Sequence, residues 1–403
     1  MRRCDIARLF LPLLVWVIPA GVTAQAVDST GGVARERDLI DVTKKWFHIR
    51  KGPVTLDGRP VYFSVLPSGA PAGNANLFVT STTAAFYAGD RVNTFLSAVT
   101  FAPYITINNR IGFTLKSNLW TNGNGWDVLG DLRFLHYPQY TWGLGGNISE
   151  NRRMLIDYKY VRFYQTFLKQ LKPYLFAGFG VMVDDHFDMD TKGDSNALAT
   201  FSHYRYGTGT SEESLSAGVS INLLYDGRKN SIDPLPGFYG NVVYRVNPIL
   251  TGSSYTWHSL YADVRKYIPF SRQGQNMLAF WGFYWTALND HTPYLDLPSV
   301  GWDPYQQRSG RGFDQNRYRG KGLLYGEAEY RRDLTANGLF GFVLFANLNS
   351  IKEPVTNNFA YLHPAAGGGL RIKLNKHSHT NIALDYGVSS DYSAFYLNLG
   401  ETF

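Results

Sequence analysis

The chain has 403 residues, one cysteine and a formal net charge of +7. A single cysteine excludes a disulfide framework and a cysteine-based metal site, and a mild basic excess with no basic cluster set in a binding motif excludes the pattern of a nucleic-acid binder. Aromatics reach 15%, from 27 Tyr, 26 Phe and 9 Trp beside 40 Gly, a bias toward strands and membrane interfaces over helices.

Arg2, Arg3 and Arg8 precede an apolar run from Leu9 to Val22, and small residues follow at Val22-Thr23-Ala24. This predicts a secretory signal peptide over residues 1–24. Cys4 lies inside it, so the exported chain is expected to carry no cysteine. The mean hydropathy of −0.21 is too low for a helical membrane protein, and no apolar run of about 20 residues follows the signal. It is normal for a barrel, whose strands alternate lipid-facing apolar residues with polar lumen residues.

Residues 25–60 read as a short periplasmic segment, with Asp38 to Phe47 as a candidate amphipathic helix. From Val61 to Phe403 the period is two. Leu77, Val79 and Ser81 alternate with Phe78 and Thr80, and Ile105 and Ile107 with Thr106 and Asn108. Repeated alternation of this kind predicts an all-β fold, a transmembrane antiparallel β-barrel. The expected strands are 61–66, 73–88, 94–108, 110–121, 125–137, 153–168, 172–184, 213–226, 237–247, 255–268, 275–288, 320–332, 338–349, 362–374, 381–388 and 392–403, about sixteen, in keeping with the even number of bacterial barrels. The long connections, 138–152, 185–212, 289–319 and 350–361, all follow odd-numbered strands, the extracellular side. Short ones such as Asn122-Gly123-Asn124 and Thr335-Ala336-Asn337 carry turn-forming Asn and Gly. The last strand sets Phe395, Leu397, Leu399 and Phe403 as an apolar outer face, the form of a C-terminal assembly signal.

One stretch stands out. Gly310-Arg311-Gly312-Phe313 ends a long polar loop and is followed by a strand with Tyr325, Glu327, Glu329 and Arg331 on one face. With it come Asp263-Val264-Arg265-Lys266-Tyr267, Tyr225-Asp226-Gly227-Arg228 before Pro234, Pro236 and Gly237, Gly367-Gly368-Gly369-Leu370-Arg371, and Asn381 to Gly387 with Asp385. In this order the motifs resemble the bacterial surface antigen superfamily, the BamA/TamA type of outer-membrane barrel. The resemblance is strong from about Tyr225 to the end and only one of style before it. It implies an extracellular loop folded into the lumen, where Arg311 pairs with wall carboxylates; Glu327, Glu329 and Asp385 are the candidates. Two departures matter. Gly310 replaces the usual Val or Ile, which should loosen the loop tip. Phe345-Ala346-Asn347 lacks the family's Asp, which shifts weight to Glu329. The family's periplasmic POTRA domains have no room before residue 61.

Other clusters carry less. Asp184-Asp185-His186-Phe187-Asp188-Met189-Asp190, at an expected strand end, fits a calcium loop only in part. His377-Ser378-His379 lacks a third ligand for a catalytic zinc. His258 and Ser259 point to opposite faces, so with Asp263 they form no hydrolase triad. No metal, cofactor or enzymatic activity is expected. Tyr87, Tyr137, Trp142, Trp281, Tyr284 and Trp285, near strand ends, are expected in interfacial girdles.

The resemblance implies the outer membrane of a Gram-negative bacterium and a role in protein or lipid assembly or translocation. The alternative is a small-solute channel or structural barrel that has lost insertase activity. The implied partners are outer-membrane lipid and lipopolysaccharide, the host barrel-assembly machinery for the chain's own insertion, and a periplasmic protein in place of POTRA domains. Nucleic acid is not among them.

Overall fold

The computed structural model describes residues 37–42, 54–56, 59–69, 78–105, 110–191, 197–209, 213–228, 237–270, 276–301, 304–305 and 309–403. The expected signal peptide, Cys4 and most of the 25–60 segment lie outside these residues. Of the expected helix, residues 39–42 are helical, capped by Asp38, whose Oδ1 accepts the Asp41 N–H at 2.6 Å.

Among the described residues, eighteen strands form one sheet. In chain order they are β1 (Val54–Leu56), β2 (Arg59–Gly69), β3 (Phe78–Phe86), β4 (Ser97–Ile105), β5 (Ile111–Trp120), β6 (Trp126–His136), β7 (Gln139–Thr141), β8 (Met154–Lys172), β9 (Leu175–Thr191), β10 (Ser214–Asp226), β11 (Gly237–Asn247), β12 (Trp257–Pro269), β13 (Asn276–Ala287), β14 (Gly322–Asp333), β15 (Phe340–Ile351), β16 (His363–Asn375), β17 (Thr380–Val388) and β18 (Ser393–Leu399). Neighbours in sequence pair antiparallel, and β18 adjoins β2, so the sheet closes. β1 and β7, three residues each, are rim pieces. The other sixteen are the staves of the wall, each overlapping an expected strand.

Strand alternation sets the two faces. On β10, Ser216, Ser220, Asn222 and Asp226 are buried in the lumen, while Val219, Ile221, Leu223 and Tyr225 are exposed outside. The same outward surface continues through Val181, Val242, Val264, Phe280, Leu324, Leu344, Leu370 and Leu384. An apolar surface running round the wall is what a barrel presents to a bilayer. No helix among the described residues is long and apolar enough to cross a membrane.

Three expectations are corrected. The strand expected to end at residue 184 continues to Thr191, paired with Ile156, across a register shift where Asp188 takes φ +52°. The acidic run is therefore wall, and Asp184 faces the lumen, 1% exposed. The last strand stops at Leu399, not Phe403. Gly400 turns the chain with φ +83°, and Phe403 is buried in the lumen with its ring 5.2 Å from that of Trp281. Phe395 and Leu397 lie opposite the outward Tyr386 and Leu384, whereas Leu399 lies opposite Ile382 and borders the lumen cavity. Finally, Trp142, Trp281 and Trp285 are buried inside instead of forming girdles; Tyr284, one residue out of phase with the last two, faces outward.

Candidate functional site: an ion-pair network in the lumen

The connection from β13 to β14 folds into the barrel. A tight turn at Tyr294–Asp296 starts it. Backbone bonds then make it a compact body: Val300 N–H donates to the Tyr318 carbonyl and Asn316 N–H to the Val300 carbonyl, both at 2.9 Å. Arg319 braces it, donating to the Tyr294 carbonyl at 2.7 Å and to Asn316 Oδ1 at 2.8 Å.

At its tip, Phe313 N–H closes on the Gly310 carbonyl at 3.0 Å. Gly310 and Gly312 take φ +68° and +96°, the left-handed region that favours glycine. A Cβ on Gly312 would lie 2.9 Å from Ala365 Cβ, and one on Gly310 would lie 2.9 Å from Val300 Cγ2. The expected loosening by Gly310 is not found: the turn requires a glycine, and both tip N–H groups are held, Gly310 by Tyr325 Oη at 3.0 Å and Gly312 by Tyr396 Oη at 2.8 Å.

This turn delivers Arg311, 1% exposed, to the β14–β17 wall. Its guanidinium donates to Asp385 Oδ2 at 2.6 Å and to Glu327 Oε1, stands 3.3 Å from Glu329 Oε2, and lies over the Phe345 ring at 3.6 Å. Glu327 and Asp385 are thus the near partners, and the expected weight on Glu329 is corrected. Asn347, in place of the missing acid, donates to the Arg311 carbonyl at 2.8 Å. Buried ions persist only when paired and hydrogen-bonded, and the pairing continues. Arg371 bonds Asp385 at 2.5 Å and Glu401 at 2.8 Å; Arg331 lies 3.3 Å from Glu329 and donates to the Phe403 carbonyl at 2.9 Å.

A second network, not foreseen from the sequence, anchors the loop on the far side. Asp184 accepts from Arg162 at 3.0 Å, from Arg245 at 2.6 Å, and from Tyr160 and Tyr164. Arg162 also donates to the Pro304 carbonyl at 2.8 Å. Nearby, Ser216 Oγ bonds Asp296 Oδ2 at 2.7 Å. Burial pushes the Asp296 carboxyl up to about 7, with Asp184 adding to the rise. Other lumen pairs did have a local signal, an acid and an arginine two residues apart: Asp131/Arg133, Asp226/Arg228 and Asp263/Arg265 all form bidentate pairs. Pro234 and Pro236 lie outside the described residues.

The other candidate clusters are dispersed. His258 faces outward, its Nδ1 2.8 Å from Tyr244 Oη, while Ser259 is buried in the lumen. The His377 ring stacks on Tyr62 at 5.3 Å.

No protein-family model matches the chain, and no curated protein matches it in sequence. Solved structures do. A BamA from Haemophilus ducreyi lacking POTRA domains 1–3 aligns at TM-score 0.53 and 11% identity, covering 85% of this chain and 70% of that one. CdiB from Acinetobacter baumannii aligns at TM-score 0.52 and 11% identity, covering 85% of this chain and 66% of that one. At such identity the likeness concerns the fold, and the chain has the β-barrel fold of the BamA and CdiB type.

Proposed function

We propose that this is an outer-membrane barrel of a Gram-negative bacterium that assists assembly or translocation of protein or lipid, with the Arg311 loop as a latch that keeps the lumen closed. The observation that carries the reading is the unequal wall. β18 has seven residues and, among the described residues, meets β2 along a far shorter contact than any other pair of adjoining staves. A seam this short would open with the least loss of pairing, while the latch keeps the lumen shut. The role needs no bond-breaking chemistry and no cofactor. Its partners would be outer-membrane lipid and lipopolysaccharide, a periplasmic protein, and the host assembly machinery, which would read the Phe395–Leu397 face.

The test is the folding rate of an unrelated urea-unfolded barrel protein in vesicles with and without the purified chain. Acceleration supports the role; no acceleration removes it. A second reading, a small-solute channel or structural barrel, is favoured by a lumen cavity of about 550 Å³. Planar-bilayer conductance, wild type against deletion of residues 300–318, addresses it. A nearly closed wild type and a large steady pore in the deletion support the latch. Equal behaviour means Arg311 holds nothing shut.

A further inference from the structure

Beside the inserted loop, lined by strands from β3 to β12 and by residues of β17, β18 and the chain end, lies the cavity of about 550 Å³, a volume typical of small-molecule sites, roughly 300–1,000 Å³. One side is rich in hydroxyls: Ser81, Thr83, Thr100, Thr114, Ser117 and Thr166. The plug contributes Gly301, Tyr305 and Gln315.

Among the described residues, several ions along this cavity are matched. Arg133 takes Asp131, Arg228 takes Asp226, and Glu401 takes Arg371, which stands outside the lining. Asp127, also lining the cavity, is 1% exposed, and neither carboxylate oxygen has a hydrogen-bond partner. Arg228, near it, already gives Nε and Nη2 to Asp226 at 2.9 and 2.7 Å. Asn118 Oδ1, on the same cavity, is likewise without a partner. Asp127 stands opposite Trp120 and Asn118 opposite Leu129, so the two are one step apart on the lumen face of β5 and β6.

All three orphaned atoms are acceptors, and one of the groups is a carboxyl. A buried acceptor without a donor is costly, a carboxylate most of all. A buried acid of this kind is relieved by taking up a proton or by a cationic N–H donor, and only a donor that also reaches Asn118 Oδ1 would satisfy both groups at once. A hard divalent ion is a poor fit: calcium takes about six to eight oxygens, and the described residues hold no cluster of three or more acidic or histidine ligands.

We propose that the cavity binds a small hydroxylated primary amine, such as an amino sugar, with its ammonium on Asp127 and Asn118 and its hydroxyls along the Ser/Thr wall. The site is independent of whether the barrel assembles membranes or passes solutes.

Calorimetric titration of the folded, detergent-solubilised protein with glucosamine and with glucose, at slightly acidic pH, isolates the ammonium. Glucosamine is expected to bind at least about tenfold tighter, about 1.4 kcal/mol. Tetramethylammonium, a cation without N–H donors, is expected not to compete. Asp127→Asn should bring glucosamine down to the level of glucose, while Asp290→Asn, at an exposed pair with Lys321, should leave it unchanged. Equal binding of the two sugars, no binding of either, or full glucosamine binding by a folded Asp127→Asn variant would overturn the assignment. Should that variant not fold, the comparison of the two sugars on the wild type decides alone.

Discussion

The Arg311 guanidinium donates to the Asp385 carboxylate at 2.6 Å across 74 residues of chain, joining the tip of the β13–β14 connection to β17. The same connection is tied to the far wall by Arg162 and the Pro304 carbonyl at 2.8 Å. A loop held on two sides of a ring cannot leave the lumen without breaking charged contacts on one of them.

Removing the central cation should therefore be expensive. Arg311→Ala leaves Glu327 buried without its near counter-charge and Asp385 with Arg371 alone; breaking a buried pair in this way typically costs about 3–5 kcal/mol. The temperature of the heat-modifiable gel shift should fall, and bilayer conductance should rise. Arg311→Lys keeps the charge but loses the planar fork and should lie between. Wild-type values for Arg311→Ala would mean the network is not what holds the loop.

The tip glycines make a steric prediction. At Gly312, φ is +96° and a Cβ would meet Ala365 Cβ at 2.9 Å and Val388 N at 3.0 Å. Gly312→Val should expel the tip and expose residues 288–321 to protease. Gly326→Ala is the control, since a Cβ there meets nothing within 4 Å, and its digestion pattern should match wild type. A protease-resistant Gly312→Val would contradict the packing.

Asp296 gives the docked loop a pH dependence with a definite sign. Its carboxyl is raised to about 7 when docked and returns to about 3.9 when released. The docked state keeps its proton between these values and the released state does not. Docking is thus strongest below about pH 4, weakens as pH rises toward about 7, and is constant above. Ser216, Asp184, His186, Arg245 and Arg162 surround the group from β8 to β11, so the Asp296 part is read by difference. Proteolysis of the loop should be faster at pH 8 than at pH 5, and Asp296→Asn should flatten that slope. An unchanged slope in the variant would assign it to another group.

Asp38 bonds both the Asp41 N–H at 2.6 Å and the Lys376 N–H at 2.9 Å, while Lys376 Nζ pairs with Asp41 at 2.5 Å. Asp38→Ala removes the helix cap, worth roughly 1 kcal/mol. Amide exchange at residues 39–42 should quicken several-fold while the β-ladders keep their protection. Unchanged exchange would mean the contact with the 376 turn does not depend on the cap.

Much of this was legible beforehand. The sixteen staves follow from period-two alternation, because the face of each residue depends only on its place along its own strand. For the same reason Tyr325, Glu327 and Glu329 could be assigned to one side. The loop motif pointed to Arg311, and parity brought in Asp385. The girdle expectation for Trp281 and Trp285 fails on that same parity: they share the lumen face with Phe283, and closeness to a strand end does not decide which face a residue takes.

The partners across the lumen were not legible. Asp184 reads as the start of an acidic loop until the β8–β9 ladder carries it into the wall beside Arg162 and Arg245. Phe403 reads as the outer end of a last strand until Gly400 turns it under Trp281. The orphaned Asp127 cannot be told from any polar lumen residue, since its isolation depends on Arg228 being committed to Asp226. Sequence alone determined which side of the wall each strand residue takes, a local consequence of the pleat. Only the tertiary structure decided which charges meet, because closure of the ring and the path of the plug bring together residues that no sequence period relates.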